Sequence, residues 1–129
     1  MSNVYLDSSA LTKLVIDEQE SSSLQTVVQG RTLMTSRVAV VEVSKAVARS
    51  NPTADPSKIL SLVTLLELDA DIATLAGTTG GAGLRALDAI HVATALLIGA
   101  ELETFITYDR RQAEAASAAG LHVIAPAPE

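Results

Sequence analysis

Leu84-Arg85-Ala86-Leu87-Asp88-Ala89-Ile90-His91-Val92-Ala93-Thr94-Ala95-Leu96-Leu97 predicts a helix that is apolar on nearly every face, so it is expected to run through the interior. One carboxylate, Asp88, stands near its start, and no Lys or Arg follows it within the stretch. A charge seldom goes inside without a partner. The simplest role for Asp88 is to cap the helix by accepting first-turn N–H bonds. The alternative is that it meets other isolated carboxylates at one place.

Outward from this helix, strands and helices alternate. Upstream, Gly80-Gly81-Ala82-Gly83 is expected to be a flexible hinge; it is no P-loop, because the Lys-Ser/Thr after the glycines is absent. Downstream, Gly99-Ala100 end the helix and Glu103-Thr104-Phe105-Ile106-Thr107 predicts a strand. Tyr108-Asp109 then lead into an Ala-rich helix over residues 110–119, with Asp109 and Gln112 spaced as a capping box. Leu121-His122-Val123-Ile124 is a last strand, and residues 126–129 are expected to form a flexible tail beyond a single domain of residues 1–125.

The N-terminal half repeats the pattern. Val4-Tyr5-Leu6 is a short strand, and the cap and turn formers Asp7-Ser8-Ser9 open a helix over residues 10–15. A helix from Ser21 to about Gln29 and a strand over residues 32–35 follow. Ser36 can cap a Val-rich helix from Arg37 to about Arg49, with Glu42 mid-run, where it either pairs with Lys45 or serves a site. Asp55-Pro56 restart a helix expected to extend from Lys58 to about Leu68, and residues 69–79 add another. Strands separated by helices indicate an α/β domain with a mostly parallel central sheet flanked by helices.

Composition narrows the function. A chain of 129 residues is one domain. The absence of Cys removes thiolate nucleophiles and Cys-based zinc sites. With no apolar run long enough for a membrane span and no signal-peptide pattern at its start, the cytoplasm is the expected location. A net charge of −6 argues against grip on nucleic acid through a broad basic surface, and three aromatic residues (Tyr5, Tyr108, Phe105) make no stacking platform. It leaves open a nuclease whose acids hold metal.

Asp7 follows the first strand directly, and Asp109 comes two residues after the strand that ends at Thr107. In a parallel sheet both lie at the carboxyl edge, where open α/β sheets place their sites. Asp88 comes off the glycine run, and Glu42 can reach the same edge. Two like charges about 6 Å apart at an effective dielectric near 20 repel by roughly 3 kcal/mol. Four acids together therefore either bind cations or hold protons. Oxygen-only ligands select Mg²⁺ or Mn²⁺ over zinc. Such an ion on carboxylates suits phosphodiester hydrolysis through an activated water.

These residues resemble a known family. Val4-Tyr5-Leu6-Asp7-Ser8-Ser9-Ala10-Leu11, Glu42 in its Val-rich helix, Leu87 to Ala95 around Asp88, and Ile106-Thr107-Tyr108-Asp109-Arg110-Arg111 look like the four motifs of PIN domains. More narrowly, the chain resembles the VapC-type toxins of bacterial toxin–antitoxin pairs. The resemblance implies a three-layer fold and a Mg²⁺- or Mn²⁺-dependent endoribonuclease, with Asp7, Glu42, Asp88 and Asp109 as catalytic and metal-holding acids. It also implies an antitoxin partner, an RNA substrate and a homodimer. Thr107 matches a small hydroxyl residue near the last acid. Ser8 and Ser9 either orient Asp7 or cap the helix, and capping is the expectation. His91 is expected to be a packed, hydrogen-bonded core residue, and Arg110 or Arg111 can touch substrate phosphate.

Other phosphoryl-handling folds fit less well. A receiver-like domain wants adjacent acids after its first strand, and a haloacid-dehalogenase-type phosphatase wants an Asp where Ser9 stands. A partner-binding module using the same acidic pocket is the remaining alternative. The expected docking surface is the apolar helix carrying Ile59, Leu60, Leu62, Val63, Leu65 and Leu66.

Overall fold

The computed structural model describes residues 2–129. Its five strands are β1 (Asn3–Leu6), β2 (Thr32–Ser36), β3 (Thr64–Leu66), β4 (Leu102–Ile106) and β5 (Val123–Ile124). They form one sheet in the order β3-β2-β1-β4-β5, and every pairing is parallel. The helices are α1 (Ser8–Val15), α2 (Ser21–Val28), α3 (Val38–Ser50), α4 (Ser57–Ser61), α5 (Ala70–Ala76), α6 (Ala86–Ile98) and α7 (Arg110–Ala118). Among the described residues no helix is long and apolar enough to cross a membrane.

Strand alternation builds three layers. Along β1, Val4 and Leu6 point to one face, where they pack with Leu11 of α1, Leu24 of α2, and Val43 and Val47 of α3. Tyr5 points to the other face, among Val92 and Ala95 of α6, Phe105 of β4 and Ala116 of α7. All three β1 residues are fully buried, as a central parallel strand covered on both sides requires. The interior path expected for residues 84–97 holds for the middle of the stretch, where Ala89 and His91 to Ala95 are buried along α6, whereas Leu87 and Leu97 near its ends are exposed.

One element departs from its expected form. The helix expected from Lys58 to about Leu68 stops at Ser61, and Thr64–Leu66 instead pairs with Met34–Ser36 as β3. A short apolar run carries no periodicity that separates helix from strand. Here the β-branched pair Val63-Thr64 and the open edge of β2 decide for the strand. The docking face expected on that helix is therefore not assembled. Val63 is buried in the core, Ile59 packs against it, and Leu62 is exposed on the turn between α4 and β3.

The sheet order has a functional consequence. The crossover from β1 through α1 and α2 goes to β2 on one side, whereas β4 lies on the other side of β1. Such a reversal opens a crevice at the carboxyl ends of the two central strands. Tyr5 pairs in register with Phe105, and Leu6 with Ile106, so Asp7 and Thr107 come next, side by side at that edge. Beyond the last strand, the Pro126 carbonyl accepts a hydrogen bond from the Tyr108 hydroxyl at 2.7 Å.

Candidate active site

Asp7 is buried, and four donors converge on its carboxylate. Oδ1 accepts from Ala10 N at 3.0 Å and from Ser9 Oγ at 2.6 Å. Oδ2 accepts from the Thr107 hydroxyl and from Gln112 Nε2. A carboxylate has about four lone-pair positions, and all of Asp7's are engaged. Asp7 itself caps α1, so the cap role expected of Ser8 and Ser9 is not what they perform. Ser9 Oγ instead links Asp7 to the Tyr108 N–H, at 2.9 Å, and so orients the acid. The Ser8 hydroxyl makes no hydrogen bond among the described residues; its backbone carbonyl accepts from Thr12 Oγ1.

Asp109 caps α7, accepting Gln112 N at 3.1 Å, as its spacing predicts. The reciprocal half of the capping box is absent. The Asp109 N–H donates to Thr107 Oγ1 at 3.0 Å, and the Gln112 side chain turns to Asp7. Thr107 and Gln112 thus each touch both acids. Gln112 was legible only as a capping residue, because its i+3 spacing from Asp109 already had a local explanation. Its Oε1 is buried without a partner among the described residues, a state that costs about 1–3 kcal/mol.

Asp88 does not cap α6. Arg85 holds the cap position, and Asp88 lies in the first helical turn. Its carboxyl makes no hydrogen bond among the described residues; the nearest cation is Arg85 Nε, 3.8 Å from Oδ2. Burial, then the charge of Asp109, push the Asp88 carboxyl above the ordinary carboxylate range, against the pull of Arg85 and His91. The favourable end of the helix dipole, worth about 0.3–1 kcal/mol, does not offset this. In the turn before α6 the close packing is confined to Gly80, while Gly81 and Gly83 face open space. At Gly80, with φ +73°, a Cβ would stand 2.4 Å from Leu84 Cδ2, so only glycine fits.

Glu42 pairs with His91 rather than with Lys45: its Oε1 lies 2.6 Å from His91 Nε2. His91 Nδ1 lies 2.6 Å from the Tyr5 hydroxyl. Burial pushes the Tyr5 phenol well above its ordinary value, so the hydroxyl stays protonated beside Nδ1. A carboxylate only accepts, so the contact with Glu42 places a proton on Nε2. A relay of Tyr5, His91 and Glu42 thereby joins β1, α6 and α3. Its histidine is fully buried and hydrogen-bonded at both nitrogens.

All four acids are carboxylates, which suits a hard divalent ion. Both Asp88 oxygens, Asp109 Oδ2 and Glu42 Oε2 have no hydrogen-bond partner among the described residues. They are not drawn tightly together: among the described residues no three His, Cys, Asp or Glu side chains stand close enough to hold an ion. Arg110 and Arg111 are exposed on the first turn of α7. Arg111 lines a hollow of about 540 Å³ with Gly80, Gly83, Leu84 and Glu114.

Comparison with known proteins identifies the family. The PIN domain family matches residues 4–118. The chain belongs to that family. This PIN domain is 40% identical over 130 residues to Ribonuclease VapC35 of Mycobacterium tuberculosis, covering 95% of this chain and 96% of that protein. It thus belongs with the VapC ribonucleases. Its fold is similar to that of Mycobacterium tuberculosis VapC20, a sarcin–ricin loop cleaving toxin, with TM-score 0.72 at 16% identity over 95% of this chain and 99% of that one. It is likewise similar to a chain of a toxin–antitoxin complex from Klebsiella pneumoniae, with TM-score 0.70 at 22% identity over 98% and 99% of the two chains.

Proposed function

We propose that this PIN domain is a Mg²⁺- or Mn²⁺-dependent endoribonuclease that acts as the toxin of a toxin–antitoxin pair. Asp7, Glu42, Asp88 and Asp109 hold the ion. The observation that carries this reading is Asp88, a carboxylate at the switch-point edge with free lone pairs and a like charge nearby. A divalent ion bound there supplies Lewis-acid chemistry, making a water easier to deprotonate and offsetting charge that builds on a phosphodiester.

The chain's own residues divide the remaining work. Asp109, fixed by its cap, and Glu42, fixed by His91, present oxygens from known directions. For Asp7 to ligate directly, one donor must yield. Ser9 is the only one of its side-chain donors that is not fully buried, and a hydroxyl can rotate. Asp88, whose oxygens carry no hydrogen bond, would help hold the ion or accept a proton from the attacking water. Arg110 and Arg111, exposed on the first turn of α7 directly after Asp109, can meet substrate phosphate. A protein antitoxin that inserts a basic side chain among these acids would replace the ion's charge. A homodimer belongs to the same proposal.

The test is purified protein on total cellular RNA, with cleavage mapped at the 5′ ends of products. Discrete cuts that need Mg²⁺ or Mn²⁺, vanish with chelator and vanish in Asp88→Asn support the reading. Chelator-resistant cuts, or a fully active Asp88→Asn, refute it.

A further inference from the structure

We propose that Gln112 is a positioning residue for the acid cluster: its side-chain amide holds Asp7 while its backbone N–H holds Asp109, fixing how the two face each other. The proposal rests on the reading of Asp7 and Asp109 as ion-holding residues. An ordinary capping box would send the amide back to the Asp109 N–H. That N–H goes to Thr107 Oγ1 instead, and Gln112 Nε2 donates to Asp7 Oδ2.

Chemistry fixes which end of the amide faces Asp7. A carbonyl oxygen set against a carboxylate is repelled, so the N–H end points there. Oε1 is then left buried without a partner among the described residues. An apolar side chain of similar length would fill the same space without that liability, so packing does not explain a glutamine at this position. Gln112 is also almost completely buried, so its amide is held rather than free to sample solvent. Thr107 makes the parallel tie from β4, donating to Asp7 Oδ2 and accepting from Asp109 N. Two bridging residues, one on each side of the Tyr108–Asp109 turn, thus key α7 to the end of β1.

The experiment compares wild type with Gln112→Met, which keeps the volume and removes both polar ends. Melting is measured without metal, and Mn²⁺ alone is titrated calorimetrically into each folded protein. The expected result is a metal-free melting temperature close to wild type, because the donor lost from Asp7 and the unpaired Oε1 removed offset each other, with the Mn²⁺ dissociation constant raised about 10- to 100-fold. Equal affinity overturns the proposal. Tighter binding by Gln112→Met also overturns it, since the amide would then be a competitor for the ion. Wild type that binds no Mn²⁺ brings down the ion reading itself, and this proposal with it. Should Gln112→Met not fold, Gln112→Ala, which suits an Ala-rich helix, is titrated in its place against the same outcomes.

Discussion

Asp7 and Asp88 are the same residue type at one edge of the sheet, yet the protein treats them in opposite ways. Asp7 is wrapped by four donors drawn from α1, α7 and the end of β4. Asp88 is offered none, and burial together with Asp109 raises its carboxyl. The first is a built-in part of the fold that also carries charge. The second is a charge the fold tolerates, which is the physical signature of a group kept for a ligand or a proton.

The strongest way to break this contrast is activity against stability. Asp7→Asn and Asp88→Asn are both expected to lower RNA cleavage by about 10²–10⁴-fold. Their effects on metal-free stability should have opposite signs. Asp7→Asn sets an NH₂ against the amide donor of Gln112 and weakens the cap of α1, costing about 1–3 kcal/mol. Asp88→Asn loses no hydrogen bond and removes repulsion from Asp109, so it should melt higher than wild type. Denaturation of both variants in chelator decides it; shifts of the same sign would erase the distinction.

Tyr5→Phe probes the relay. It leaves His91 Nδ1 buried without its hydroxyl partner, at a cost of about 1–3 kcal/mol, while Glu42 still holds Nε2. Nitrogen chemical shifts of the His91 ring should show Nε2 protonated in both proteins and the Nδ1 signal displaced in the variant. An unchanged ring spectrum would remove Tyr5 from the site.

Ion binding should reverse the penalty at Asp88. With a dissociation constant near 1 mM, about 10 mM Mg²⁺ stabilises by roughly 1.4 kcal/mol, or about 3–6 °C in melting temperature. Asp88→Asn should respond far less. If scanning calorimetry gives both proteins the same shift, Asp88 is not a ligand.

The smallest expected effect is in pH. Because the folded Asp88 carboxyl is raised above its unfolded value, the native state binds more protons, and metal-free stability falls as pH rises through that raised value. The fall should be absent in Asp88→Asn. It should move slightly higher in pH in Arg85→Ala, which removes an exposed cation favouring the charged form.

Much of this was legible in the sequence, for identifiable reasons. The Val4-Tyr5-Leu6 run, the apolar helix around Val92 and the placement of Asp7 and Asp109 after strands follow from periodicity and the sheet-edge rule. The strand Thr64–Leu66 was not legible, because three residues beside an open edge take their conformation from the neighbour they pair with. Asp88 carried a cap signal that the structure assigns to Arg85's position, one turn boundary earlier. Gln112 and Tyr5 were hidden for another reason, and the orienting role of Ser9 stood second to capping. Each has an adequate local role in sequence, and only the register of β1 against β4 and the packing of α6 and α7 bring them to the acids.

The sheet ends in a three-residue strand on one side and a two-residue strand on the other. Such blunt borders offer too few open backbone groups to template an added strand from another chain. They guard against edge-to-edge aggregation when the protein is made faster than it is engaged. For the proposed antitoxin they would favour recognition through side chains on the helical surfaces and the acidic edge, where specificity is written in shape and charge, over main-chain zippering that any extended peptide could imitate.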